Sequence, residues 1–193
     1  MPKLTFCVPL DPAISSDRPS ADTAVPLAAH SISSSLILPS SHPSTLQTYS
    51  PLTSTLISEL EVSPSNRISR REEKPLEPCR VELATTSDSG DWLATIDARP
   101  PLDGFRGESY LKLWWWDRKA GSWILNTRID RPHGSKKVTS VSFRPRARDS
   151  SGLSLVTSGE DGNVKIWGIR SITTKSGEIE SESNCYAHMS DSD

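Results

Sequence analysis

His133, Ser158 and Asp161 are the side chains of this sequence whose types match an acyl-transfer triad. In such a triad the serine oxygen attacks, the histidine takes its proton and the aspartate fixes the imidazole tautomer. The chain has no Gly-x-Ser-x-Gly elbow to expose a nucleophile, and no Walker-type loop to cradle phosphates. The three cysteines, Cys7, Cys79 and Cys185, are odd in number and far apart, with no CxxC pair. That spacing excludes a zinc knuckle or a thioredoxin-like motif and argues against a disulfide framework, so a reducing compartment fits better. His30, His42 and His188 are scattered without metal-ligand spacing. No catalysis, metal or cofactor is expected, and no small-molecule substrate.

Nucleic-acid chemistry has more candidates. Arg67, Arg70, Arg71, Lys74 and Arg80 form one basic cluster, diluted by Glu72, Glu73 and Glu77. Lys136, Lys137, Arg144, Arg146 and Arg148 form a second, interrupted only by Asp149. Such clusters supply salt-sensitive contacts to phosphates, or they are solvated loops and surfaces for acidic proteins. The formal net charge is −2 and the pI about 6.1, so any RNA contact must come from local patches and not from the field of the whole chain. Trp114-Trp115-Trp116 could stack bases, but on a strand alternate residues face opposite sides. Packing on both faces of a sheet is therefore the expectation for Trp114 and Trp115, and Trp116 lies near the strand end. Gly104-Phe105-Arg106-Gly107 fits the GxxG of RNA-binding KH modules, yet it lies between two strand patterns and reads as a loop.

The elements that must position these residues are short strands. Residues 138–143 alternate as a strand, residues 153–158 form a second, and Glu160-Asp161-Gly162-Asn163 is a hairpin turn signal. Residues 164–169 make a third strand carrying Trp167. Residues 80–86, 92–97, 110–116 and 123–129 repeat this order, with Trp114 in the place of Trp167. The two copies stand further apart than the ~40–45 residues usual for a propeller blade, and the loop at 98–109 accounts for most of the excess. A third copy is read in the Ser-rich stretch, with strands at 32–38, 46–49 and 56–62. There Leu46-Gln47-Thr48-Tyr49 aligns with Leu111-Lys112-Leu113-Trp114 and with Val164-Lys165-Ile166-Trp167.

Pro132-His133-Gly134 before the first strand, Ser158 with Asp161-Gly162 around the turn, and Trp167 closing the third strand resemble a WD repeat. Pro132 stands where that family usually has Gly, and Gly168 where it usually has Asp. The resemblance turns the three triad-like residues into a structural relay: His133 bonds Asp161 in the turn, and Ser158 and Trp167 extend the chain of donors and acceptors. A buried polar network of that kind is tolerable only when every member is satisfied.

A closer resemblance lies in Leu125-Asn126-Thr127-Arg128-Ile129 followed by Pro132-His133, with Trp92-Leu93-Ala94-Thr95 and Ser63-Pro64-Ser65-Asn66-Arg67. These resemble fungal WD-repeat subunits of the UTP-A (t-UTP) subcomplex of the small-subunit processome. That resemblance implies a non-enzymatic scaffold in the nucleolus of the nucleus, assembling pre-ribosomal RNA and supporting ribosomal DNA transcription by RNA polymerase I. Its implied partners are the other UTP-A and processome proteins, pre-ribosomal RNA and its small nucleolar RNA. A general WD-repeat adaptor of a ubiquitin-ligase or chromatin complex is the alternative.

The expected fold is all-β, a fragment of a WD-repeat β-propeller with about two to three antiparallel four-stranded blades. The blades are placed at 31–62, 80–131 and 132–170, within a region spanning 25–170. Residues 1–24 are expected to be disordered, and 171–193 to be a disordered acidic tail, on their Ser, Pro and charge content. The apolar run in residues 1–10 is too short for a signal-peptide core, and no stretch approaches the roughly 18 apolar residues of a membrane span.

Overall fold

The computed structural model describes residues 25–64, 77–101, 106–145 and 153–169, together with the backbone of 186–189. Among the described residues, twelve strands lie in three antiparallel sheets of four. The first sheet holds β1 (Ala28–His30), β2 (Ser35–Pro39), β3 (Thr45–Ser50) and β4 (Thr55–Glu61). The second holds β5 (Arg80–Thr86), β6 (Trp92–Arg99), β7 (Glu108–Asp117) and β8 (Ser122–Asp130). The third holds β9 (Val138–Phe143), β10 (Leu153–Gly159), β11 (Val164–Ile169) and β12 (Tyr186–Met189). Within each sheet, sequence neighbours are hydrogen-bonded neighbours, so each is a simple meander.

Side-chain alternation explains how the sheets stack. Along β6, Leu93, Thr95 and Asp97 face the first sheet, while Trp92, Ala94 and Ile96 face the third. Both faces of the central sheet are therefore covered, and β6 and the middle of β7 are buried at nearly every position. Two cores result. One packs Ile37, Leu46, Val81, Leu93, Trp114 and Trp116 between sheets one and two. The other packs Trp92, Ile96, Leu113, Phe143, Leu155 and Trp167 between sheets two and three.

Two expectations change. The first strand, read at 32–38, starts only at Ser35 as β2, because residues 31–34 make a tight turn with Ser34 at φ 49°, and a further strand, β1, precedes that turn. The first sheet thus begins at Ala28, before the expected boundary at 31. The 171–193 tail, expected to be disordered, contributes β12, which runs antiparallel to β11 from Lys165↔Met189 to Gly168↔Tyr186. A long polar stretch in the sequence after Ile169 separates this short strand from the rest of its sheet and hides it from any local pattern.

Candidate functional site

The chemistry-bearing residues gather where each sheet meets the loop leading out of the sheet before it. In the third sheet, Trp167 Nε1–H donates to Thr157 Oγ1 at 3.0 Å, and Thr157 lies 2.9 Å from His133 Nε2. His133 Nδ1 lies 2.8 Å from Asp161 Oδ1. An ionised carboxylate only accepts, so Nδ1 carries the proton and donates to Asp161, while Nε2 shares a hydrogen bond with the threonine hydroxyl. Every group from indole to carboxylate thus has a partner. Asn163 adds its backbone N–H and side-chain amide to Asp161. Desolvation pushes the Asp161 carboxyl up, but the bonds from His133 and Asn163 outweigh it and hold it at about 2. The turn itself closes through Gly162, whose φ of 78° suits a residue without Cβ.

Ser158 is not in this relay; the expectation is corrected to Thr157. Adjacent residues of β10 point to opposite faces, so Ser158 turns away and bonds the hydroxyls of Thr139 and Ser140, each at 2.8 Å. The triad-like residues therefore never meet: the serine is on the far face from His133, and Thr157 is fully buried.

The second sheet solves the same junction with different residues. Trp114 Nε1–H donates to Thr95 Oγ1 at 3.0 Å, repeating the indole–threonine pair. Lys112 occupies the place of Lys165, opposite Thr95 as Lys165 is opposite Thr157. Both lysines reach a carbonyl of the incoming loop: Lys112 that of Val62 at 2.6 Å, and Lys165 that of Pro132 at 2.7 Å. Ser63 thus stands where the third sheet has His133, and Asp97 stands where it has Gly159. A Cβ on Gly159 would lie 2.5 Å from the His133 ring, so the imidazole requires a glycine there. With the smaller Ser63, space opens for a carboxylate. Asp97 Oδ2 accepts from Ser63 Oγ at 2.6 Å and from Lys112 Nζ at 3.0 Å, and Lys112 also donates to Ser63 at 2.8 Å. Asp97, Ser63 and Lys112 are all buried. Burial pushes the Asp97 carboxyl up, opposed by Lys112 and Ser63. The repeated x-Lys-x-Trp pattern was the sequence signal for this lock, and its lysine was overlooked.

The tryptophan run packs. Trp114 and Trp116 are buried toward the first sheet, while Trp115 is half-buried and meets Trp92 edge-on, with ring centroids 5.3 Å apart. His30 fills the same end of the molecule, its ring 4.5 Å from that of Trp116 and 4.9 Å from that of Trp123. Its Nε2 donates to the Gly90 carbonyl at 2.9 Å, and burial lowers its pKa. Among the described residues, no group of three His, Cys, Asp or Glu is placed to hold a metal.

Of the basic candidates, Arg67, Arg70, Arg71, Lys74, Arg146 and Arg148 lie outside the described residues, as does most of the GxxG loop. Lys136 is exposed and Lys137 half-buried in the loop entering β9, and Arg144 is exposed just after that strand. Arg80, the last residue of the first cluster, opens β5 and shares a cavity with Lys136 and Lys137.

Three stacked four-stranded meanders, the second and third each holding an internal Trp–Thr pair and tied by a lysine to the loop arriving from the blade before, define blades of a WD-repeat β-propeller. The family model described as the WD repeat-containing protein 75 second beta-propeller matches residues 27–188. The chain belongs to that family. WD repeat-containing protein 75 of Xenopus laevis is 38% identical over 86 residues, which is 44% of this chain and 10% of that protein. The human protein of the same name is 37% identical over 78 residues, 40% of this chain and 9% of that one. U3 small nucleolar RNA-associated protein 17 of Schizosaccharomyces pombe is 31% identical over 90 residues, 44% of this chain and 11% of its own length. The matched stretches thus span about a tenth of these relatives. A solved auxiliary nutrient binding protein from Bacteroides ovatus superposes at a TM-score of 0.47 with 15% identity, over 78% of this chain and 34% of that one.

Proposed function

We propose that this chain serves as a non-enzymatic WD-repeat scaffold in ribosome biogenesis. In this reading it helps assemble the small-subunit processome on pre-ribosomal RNA, supports ribosomal DNA transcription by RNA polymerase I, and resides in the nucleolus. The observation that carries it is the family match over residues 27–188, together with a fission-yeast relative named for association with the U3 small nucleolar RNA. The geometry supports it: the polar constellations at the blade junctions are consumed in holding blades together, which leaves loops and edges as the working surfaces. The basic residues, from Arg67 to Lys74 and from Lys136 to Arg148, are the candidate contacts to RNA or to partner proteins.

The test is a pulldown of the tagged full-length gene product from cells, with proteins identified by mass spectrometry and RNA sequenced. Recovery of UTP-A proteins with the 5′ part of pre-ribosomal RNA is the expected result. Recovery of ubiquitin-ligase or chromatin subunits without pre-ribosomal RNA would overturn it in favour of a general adaptor.

A further inference from the structure

The first and second blades are fastened at both ends of their seam, by different chemistry. One end holds the buried set of Ser63, Lys112 and Asp97. The other end, beside Trp92 at the start of β6, holds His30, the last residue of β1, which is 1% exposed. Three elements of the second blade enclose its ring. The turn between β5 and β6 presents the Gly90 carbonyl, 2.9 Å from Nε2. Trp116 of β7 and Trp123 of β8 wall it in, with ring centroids 4.5 and 4.9 Å away. From its own blade, Ser33 Oγ lies 2.6 Å from Nδ1, and Ser35 Oγ lies 2.6 Å from Ser33 Oγ. The backbone around this contact is closely fitted. A Cβ on Gly90 would lie 2.6 Å from Ser31 Oγ and 2.9 Å from Ile32 Cγ1, and Thr86 Oγ1–H donates to the Ala29 carbonyl at 2.5 Å.

A carbonyl only accepts, so Nε2 carries a proton whether the ring is neutral or charged. In the neutral ring Nδ1 accepts from the Ser33 hydroxyl. A second proton on Nδ1 keeps that bond, because the Ser33 hydroxyl can turn to accept it and donate to Ser35 instead. Solvation therefore decides between the two states, not hydrogen bonding. The charged groups on the elements packed against the ring are Asp88 and Asp91 between β5 and β6, Asp117 at the end of β7, and Arg118 after it. Asp91 is held by Arg118 at 2.8 Å, Asp117 accepts the backbone N–H groups of Lys119 and Ala120, and Asp88 is exposed. Among the described residues, no carboxylate is paired with the imidazole. A charged ring here would lose its water and gain no counter-ion. Attraction to the indole faces and to Asp91 does not offset that loss, and burial holds the His30 pKa below 6.5. We infer that His30 is an acid-sensitive latch: neutral, it closes this end of the seam; protonated, it moves toward water and draws β1 and the turn at 31–34 away from Trp116 and Trp123. The sign follows from linkage. The ring's stabilising contribution is complete above about pH 6.5, its ordinary value in an unfolded chain, and is lost as pH falls below that.

The experiment follows the full chain by NMR, with labelled histidine and tryptophan side chains, as pH falls from 8 to 5. The imidazole signals that vanish in His30→Gln identify this ring among the four histidines. They are expected to titrate below pH 6.5, and the indole N–H signals of Trp116 and Trp123 should shift with the same midpoint. In His30→Gln those indole signals should hold still over the same range. Asp91→Asn removes the nearby negative charge and should move the midpoint to lower pH; it also identifies the ring if His30→Gln does not fold. Urea denaturation should show a smaller loss of stability between pH 7.5 and 5.5 in His30→Gln than in the parent chain. A midpoint at or above 6.5, a protonation that leaves both indole signals unmoved, or equal losses of stability in the two chains would overturn the inference.

Discussion

At the scale of single residues, one junction carries two solutions, and each tolerates only its own partner. Where His133 sits, Gly159 must be bare; where Ser63 sits, Asp97 fills the gap and Lys112 neutralises it. Gly159→Ala should therefore displace the imidazole and destabilise the third blade by about 1–3 kcal/mol, the usual cost of overpacking. Urea denaturation followed by tryptophan fluorescence checks this. Lys112→Met leaves a carboxylate without its cation in a site where both partners are buried, and should cost about 3–5 kcal/mol. Lys112→Met with Asp97→Leu should recover much of that loss; a double variant as unstable as the single one would refute the ion pair as the source. The Asp161 carboxyl titrates at about 2 when folded, below its ordinary 3.8. Its stabilising contribution is therefore complete above about pH 4 and disappears as pH falls through about 2. Asp161→Asn should flatten the acid limb of stability between those values, and an unchanged slope would contradict the His133 bond. His133, Asp161 and Trp167 entered through the resemblance to a WD repeat, whereas Thr157 was mistaken for its neighbour because a one-residue shift on a strand reverses the face.

At the scale of elements, the sequence was most readable where burial is two-sided. β6 and β7 are buried on both faces, so their apolar residues run almost without alternation and the tryptophan positions mark register. Leu36, Leu93 and Leu155 each pair opposite the closing aromatic, Tyr49, Trp114 and Trp167, so the three aromatics that align in sequence hold equivalent places in their sheets. Outer strands were harder to read, since β4 is exposed along most of its length and offers only a weak pattern. β12 shows the extreme case: its four residues gain strand character from pairing with β11 across a long connection, and no local period announces them. A chain ending at residue 170 would lack β12 and leave β11 as an edge. Amide exchange in Val164–Ile169, followed by mass spectrometry, should then accelerate at least about tenfold, because an edge strand opens with less lost contact. Unaltered protection would mean that β12 contributes nothing to the third blade.

At the scale of the whole molecule, three blades make two seams and leave two faces of the stack uncovered. Val164 and Ile166, which alternate with Lys165 and Trp167, lie on the side of the third blade turned away from the second and are 48% and 41% exposed. Leu36 and Leu38, which alternate with the buried Ile37, stand half-buried on the opposite end of the stack beside Tyr49. A propeller of 4–8 blades would cover both surfaces with neighbours. The 193-residue chain alone, by contrast, gains from each seam on one side only at its two outer blades. The central blade should therefore be the best protected, with the outer two loosening at lower temperature, and apolar dye should bind the chain below its main transition. Calorimetry on the isolated chain is expected to give a broad transition, with dye fluorescence already raised at 25 °C. A sharp, cooperative transition from a monomer with no dye binding would show that the two seams suffice, and that the uncovered faces carry less of the fold's stability than their apolar residues suggest.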